Sequence, residues 1–139
     1  MTVLQSDPGP ERRVTLTIAS GEHVSGVMSV SNVRPRGLAV LVPHAWTAAD
    51  LLIAVSPDNS TWHLLEDRNG GLVRLTGINT ATPLTSVTGV TISGGVYTLS
   101  ADTWAVGTFP FMRFISISVG GTTAVNQGAA RSITVVALN

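Results

Sequence analysis

The chain has 139 residues, enough for one domain with a substantial core, and its eight acidic residues balance eight basic ones. A net charge of zero leaves no basic excess to neutralise a run of phosphates, which argues against nucleic acid as a partner. With no cysteine, disulfides and thiolate metal sites are excluded, and no apolar run approaches the ~20 residues of a membrane-spanning helix.

Met1 to Arg12 reads as an extended arm, because Asp7-Pro8-Gly9-Pro10 suits neither a helix nor a central strand. It lacks the charged-then-apolar pattern of a signal peptide, so synthesis in the cytoplasm is expected. Residues 13–139 read as one β-sandwich domain. Val14, Leu16 and Ile18 alternate with Thr15 and Thr17, the period-two signature of a half-buried strand. Gly21 breaks it, and Val24 to Val30 follows as a weaker strand with a bulge expected at Gly26. After the turn Arg34-Pro35-Arg36-Gly37, the unbroken apolar run Leu38 to Val42 predicts a strand buried on both faces.

Thr47 with Asp50 resembles a helix capping box, but a helix there would have barely two turns before Pro57, so Leu51 to Val55 is read as a strand. Ser56-Pro-Asp-Asn-Ser-Thr61 is a tight turn: Pro57 fixes φ, and Asp58 and Asn59 can bond their own backbone. Trp62 to Glu66 is the returning strand, with Trp62 and Leu64 sharing a face read as core. Asp67 to Gly71 forms another turn before a short strand, Leu72 to Leu75, and Thr76 to Pro83 is loop-like. Val90 to Ile92 and Val96 to Leu99 flank Ser93-Gly94-Gly95 as an expected hairpin. Ala101 to Pro110 is a loop carrying Trp104 and Phe109. Phe114 to Val119 and Ile133 to Leu138 are the closing strands, separated by a Gly-, Thr- and Ala-rich segment. Many short strands without a helical period predict an all-β antiparallel sandwich, with a jelly roll as the expected arrangement and an extended N-terminal arm.

Charged residues make up only 12% of the chain, against about 25% in an average domain. A surface so poor in charge suits a protein held in an assembly. Every basic residue is arginine, a preference that fits interfacial pairing and that a GC-rich coding bias would also produce.

Catalytic chemistry is hard to find. His23, His44 and His63 are widely separated and form no metal-binding spacing. Glu66 and Asp67 are adjacent, so on a strand they point to opposite faces rather than cooperate as acid and base. No nucleophile elbow or phosphate loop is present, and neither an enzymatic activity nor a cofactor is expected. Of the tryptophans, Trp46 and Trp62 are read as core and Trp104, in a loop, as an exposed contact. In the segment after Phe109-Pro110, Met112 and Phe114 share one strand face and Phe111 and Ile115 the other. Both faces are apolar there, so the strand is either central or covered on one face by another subunit. The charge-poor composition favours the second reading and makes Met112 and Phe114 candidate interface residues.

Three segments carry a resemblance to a known family. They are Trp46-Thr-Ala-Ala with Leu51 to Val55 and Ser56-Pro-Asp-Asn-Ser-Thr-Trp62; Phe109-Pro-Phe-Met-Arg-Phe-Ile-Ser-Ile117; and Val125-Asn-Gln-Gly-Ala-Ala-Arg-Ser-Ile-Thr-Val135. Across roughly residues 38 to 139 this pattern resembles small jelly-roll structural proteins of tailed bacteriophages. The resemblance implies a virion component, a capsid cement or decoration protein made in the host cytoplasm and seated on the head. It would be a homo-oligomer, typically a trimer, bound to the major capsid protein and bridging shell subunits. Arg12, Arg13, Arg34 and Arg36, placed in arm and turn, are then the expected contact residues with Trp104, Met112 and Phe114. The alternative is a tail or baseplate module that binds a receptor or glycan, with Trp104 as the stacking group, since similar turns occur in sugar-binding jelly rolls. Neither reading involves nucleic acid or a membrane.

Overall fold

The structure is a computed structural model that describes residues 12–29, 37–66, 70–76, 78, 86–87, 90–91, 94–99 and 109–138. Among these residues there is no helix. The strands are β1 (Arg12–Ile18), β2 (Met28–Ser29), β3 (Gly37–Pro43), β4 (Asp50–Ser56), β5 (His63–Leu64), β6 (Arg74–Leu75), β7 (Ser86–Val87), β8 (Val90–Thr91), β9 (Gly94–Leu99), β10 (Phe111–Ile117) and β11 (Arg131–Leu138).

Nine of them form two antiparallel sheets, as the alternating patterns predict, while β7 and β8 pair only with each other. The first has the order β1-β11-β3-β9; the second has β2-β10-β4-β5, with β6 also pairing with β4. The pairings nest: β1 with β11, β2 with β10, β3 with β9 and β4 with β5. Two further pairings, β11 with β3 and β10 with β4, knit the nested pairs into sheets.

One apolar cluster draws on both sheets. Leu16 and Ile18, Val40 and Val42, and Ile133 and Val135 come from the first; Leu51, Ile53, Val55, Met112 and Phe114 come from the second. Each set sits at alternate positions of its strand, so the period-two pattern is also the list of inward-facing residues. Burying a side chain such as Phe114 contributes about 2–3 kcal/mol. β4 departs from alternation: its outward-facing Leu52 and Ala54 are buried as well as its inward residues, which accounts for its unbroken apolar run. The similar run in β3 misleads. Val40 and Val42 are buried, but Leu41 is 39% exposed, because the outer face of the first sheet is open there.

The turn between β4 and β5 is built as its residues predict. Oδ1 of Asp58 accepts the backbone N–H groups of Ser60 (2.9 Å) and Thr61 (2.8 Å), and Ser56 Oγ donates to it at 3.1 Å. Asn59 takes a left-handed φ of 61°, which its short polar side chain tolerates. The N–H donors of Thr61, then of Ser60, hold the Asp58 carboxyl below its ordinary value of 3.8. A depressed carboxyl contributes stability above its unfolded pKa and loses it as pH falls through the folded value. Substituting Asp58→Asn should therefore flatten the acid side of the stability profile; melting curves between pH 2 and 5, about the span of carboxyl titration, test this by comparing the slopes.

Three local expectations are corrected. The Ser93-Gly94-Gly95 hairpin does not form: β8 pairs with β7, and β9 joins β3 across the first sheet. The expected strand Phe114 to Val119 is displaced toward the N-terminus, spanning Phe111–Ile117 and leaving Val119 exposed in a turn. Trp62 and Leu64 do share a side of the sheet, but it is the outer one; Leu65 enters the core instead. Met112 and Phe114 are corrected as interface residues too. β10 lies between β2 and β4, and both side chains are fully buried in the molecule's own core. Neither has surface left to offer a second subunit.

Candidate functional site

The outer face of the first sheet is built mostly from short, uncharged side chains. β1 supplies Thr15 and Thr17, β11 supplies Ser132 and Thr134, β3 supplies Ala39 and Leu41, and β9 supplies Val96. The register aligns Thr15 with Thr134 and Thr134 with Leu41, and Leu41 in turn with Val96. The Thr15 and Thr134 hydroxyls lie 3.3 Å apart, and Val96 is 62% exposed. A groove of about 340 Å³ lies where Leu41, Pro43, Val96, Ser132 and Thr134 meet. Arg13, exposed near the start of β1 opposite Val136, shares the outward parity of Thr15 and Thr17 and is the one charged residue of this face among those described. Arg12 is the first residue of β1, while Arg34, Arg36 and Trp104 lie outside the described residues.

One end of the sandwich is closed by a polar clamp. Gln127 is fully buried, and each of its amide atoms makes two bonds. Its Oε1 accepts the Thr47 N–H (2.8 Å) and Arg131 Nε–H (3.2 Å); its Nε2 donates to the Thr47 carbonyl (3.1 Å) and Ser116 Oγ (3.0 Å). The Gln127 backbone also exchanges hydrogen bonds with the β1–β2 connection, accepting from Gly21 and donating to Glu22. One side chain therefore joins the approach to β4, the end of β10 and the start of β11, while its backbone holds the loop after β1. Nearby, Asn126 Oδ1 lies 3.2 Å from His23 Nδ1.

On the outer side of the second sheet, at the same end, Asp50 is 1% exposed and forms an ion pair with Arg74 at 3.0 Å. Its Oδ2 also accepts the Gly120 N–H, and Arg74 reaches the carbonyls of Ser118 and Gly121. The 118–121 turn is thus held to β4 and β6 by one guanidinium and one carboxylate. A Cβ at Gly121 would meet Ser118 Oγ, so a larger residue there needs that hydroxyl to turn away from the Thr123 N–H that it accepts.

Of the tryptophans described, Trp46 packs against the core and donates its indole N–H to the Ala49 carbonyl at 3.2 Å. Trp62 is half-buried beneath Arg113, whose guanidinium carbon lies 4.2 Å from the ring centroid. Among the described residues no group of three or more His, Asp or Glu side chains is placed to hold a metal ion. The two polar clusters tie separate chain segments together.

Sequence reasoning missed Gln127, Asp50, Arg74 and Arg113 as organising residues. Arg113 and Gln127 both fall inside segments that carry the family resemblance, but neither was read there as an organising residue. Comparison with protein-family models, curated proteins and solved structures found no match for this chain.

Proposed function

We propose that this protein is a structural component of a tailed-bacteriophage virion, a capsid cement protein that stabilises the head by bridging shell subunits. The observation that carries the reading is the uncharged patch on the outer face of the first sheet, from Thr15 and Thr17 across Ser132, Thr134 and Leu41 to Val96. Covering that patch, which stops short of Arg13, requires no ion to be desolvated, and its threonines and serine can exchange water for hydrogen bonds with a neighbour. The nested strand pairing supports the jelly-roll reading, an architecture shared by viral shell and lectin domains. Bridging is mechanical: the sandwich is the rigid body, and Arg12, Arg13, Arg34 and Arg36 supply ionic contacts to the major capsid protein. Residues 1–11 add an arm that gains order on a neighbouring subunit. Trp46 packs on the core and Trp62 lies beneath Arg113, whereas Trp104, the stacking group of the glycan-binding tail alternative, lies outside the described residues.

Deleting residues 1–11 stops short of β1 and is expected to leave the melting temperature of the isolated protein unchanged while abolishing attachment to particles. Undiminished attachment of the truncated chain sinks the arm. Copy number in purified particles tests the location: parity with the shell protein supports cement, whereas a few copies per particle overturn it in favour of the tail.

A further inference from the structure

Among the described residues, the outer face of the second sheet carries one cation, Arg113, that no carboxylate pairs. Arg113 stands between Phe111 and Ile115 on β10, all three half-buried, and is stacked on Trp62. Its Nε is buried and makes no hydrogen bond. Two of the described carboxylates are committed elsewhere: Asp50 to Arg74 and Gly120, Asp58 to the amides of its own turn. Stacking uses the flat of a guanidinium, whereas carboxylates bind its edge, so the indole orients Arg113 without neutralising it. Burying a donor without a partner is unfavourable, and an apolar residue would fill this position without that cost. An outside carboxylate cannot reach the buried Nε, but it can meet the terminal nitrogens of the guanidinium, which are not among the buried unpartnered atoms.

A carboxylate is available on the same face. Leu65 and Val73 point into the core, so Glu66 and its bridge partner Leu72 project outward, and Glu66 is exposed. Between Arg113 and Glu66 lies an apolar strip that includes Trp62 and Leu64, the latter 41% exposed. Leu64 is opposite Ala54, and Ala54 is opposite Arg113, which puts Leu64 two strand spacings, roughly 10 Å, from Arg113. A face with a cation at one side, an anion at the other and apolar groups between them is complementary to itself. A two-fold axis lying in the plane of the face brings each Arg113 to Glu66 of the other copy and each Leu64 near its twin.

We propose that this face joins two copies of the chain as a homodimer, with Arg113 and Glu66 paired reciprocally across the axis and Trp62 and Leu64 as its apolar centre. Arginine and tryptophan are the residues most enriched where interface energy concentrates. The inference stands apart from the virion reading, because it concerns contact between copies and the other concerns contact with the shell.

The test is sedimentation velocity of the full chain over a concentration series. The wild type is expected to dimerise, and Glu66→Arg, a change at an exposed position, to weaken the dimer about tenfold or more by setting like charges against each other. Arg113→Glu should do the same, and the double swap Glu66→Arg/Arg113→Glu should restore association. Should Arg113→Glu fail to fold, Leu64→Arg at the exposed centre gives a second reading and should also yield monomer. A monomeric wild type, or a dimer indifferent to Glu66→Arg and Leu64→Arg, overturns the proposal. A trimer insensitive to both substitutions also overturns it, while leaving the cement reading intact.

Discussion

Replacing Gln127 with leucine should destabilise the protein by about 3–5 kcal/mol, measured as a shift in the chemical-denaturation midpoint at constant slope. Leucine retains much of the volume, so the loss comes from hydrogen bonds. Four groups lose their partner together: the Thr47 N–H and carbonyl, Ser116 Oγ and Arg131 Nε. Each buried orphan costs about 1–3 kcal/mol, and water reaching half-buried Thr47 and Arg131 keeps the total below a simple sum. Ser116→Ala removes only one of the four partners and should cost about 1 kcal/mol. Equal effects from the two variants would mean that Gln127 is not the hub.

Arg74→Met is expected to cost about 3–5 kcal/mol, because it leaves the nearly inaccessible Asp50 carboxylate with the Gly120 N–H alone. It also strands the Ser118 and Gly121 carbonyls that Arg74 ties to the sheet. Removing both charges should be milder. In Asp50→Leu/Arg74→Met no unpaired ion remains, and well-packed apolar groups can replace a buried ion pair at little net cost. A double-mutant cycle read by urea unfolding decides the point: strict additivity of the single effects would rule out coupling between the two residues.

Much of the sandwich was legible because its signals are local. The Pro57-Asp58-Asn59 turn predicts the β4–β5 hairpin from chemistry within a few residues, and alternation at Leu16, Ile18, Ile133 and Val135 marks inward faces without reference to the rest of the chain. What failed depends on distant partners. Ser93-Gly94-Gly95 suits a hairpin, yet β9 is taken by β3, whose residues are more than fifty positions away. Leu41 and Leu52 sit in similar apolar runs, but one strand has an open outer face and the other is covered. Trp62 and Leu64 were correctly placed together, though which face they shared depended on Leu65 entering the core. For Met112 and Phe114, alternation showed the two faces of the strand; only its place between β2 and β4 showed which face was inside. The candidate contact surfaces were less legible still, since they join short segments from four or more strands. Gln127 has no local signature, as its four partners come from three separate segments.

The nested pairing has a consequence for how the molecule comes into being. β11 lies between β1 and β3, so the first sheet has no centre until residues 131–138 have left the ribosome. Arg12 must then find Ala137, closing a loop that spans nearly the whole described chain. Contacts so remote in sequence form slowly, because the entropy of closure is lost before any pairing compensates for it. During that interval β1 and β3 wait with open edges and threonine- and valine-rich faces, the state in which a strand is most exposed to pairing with the wrong chain. With charged residues only 12% of the chain, little electrostatic repulsion keeps nascent copies apart at that stage.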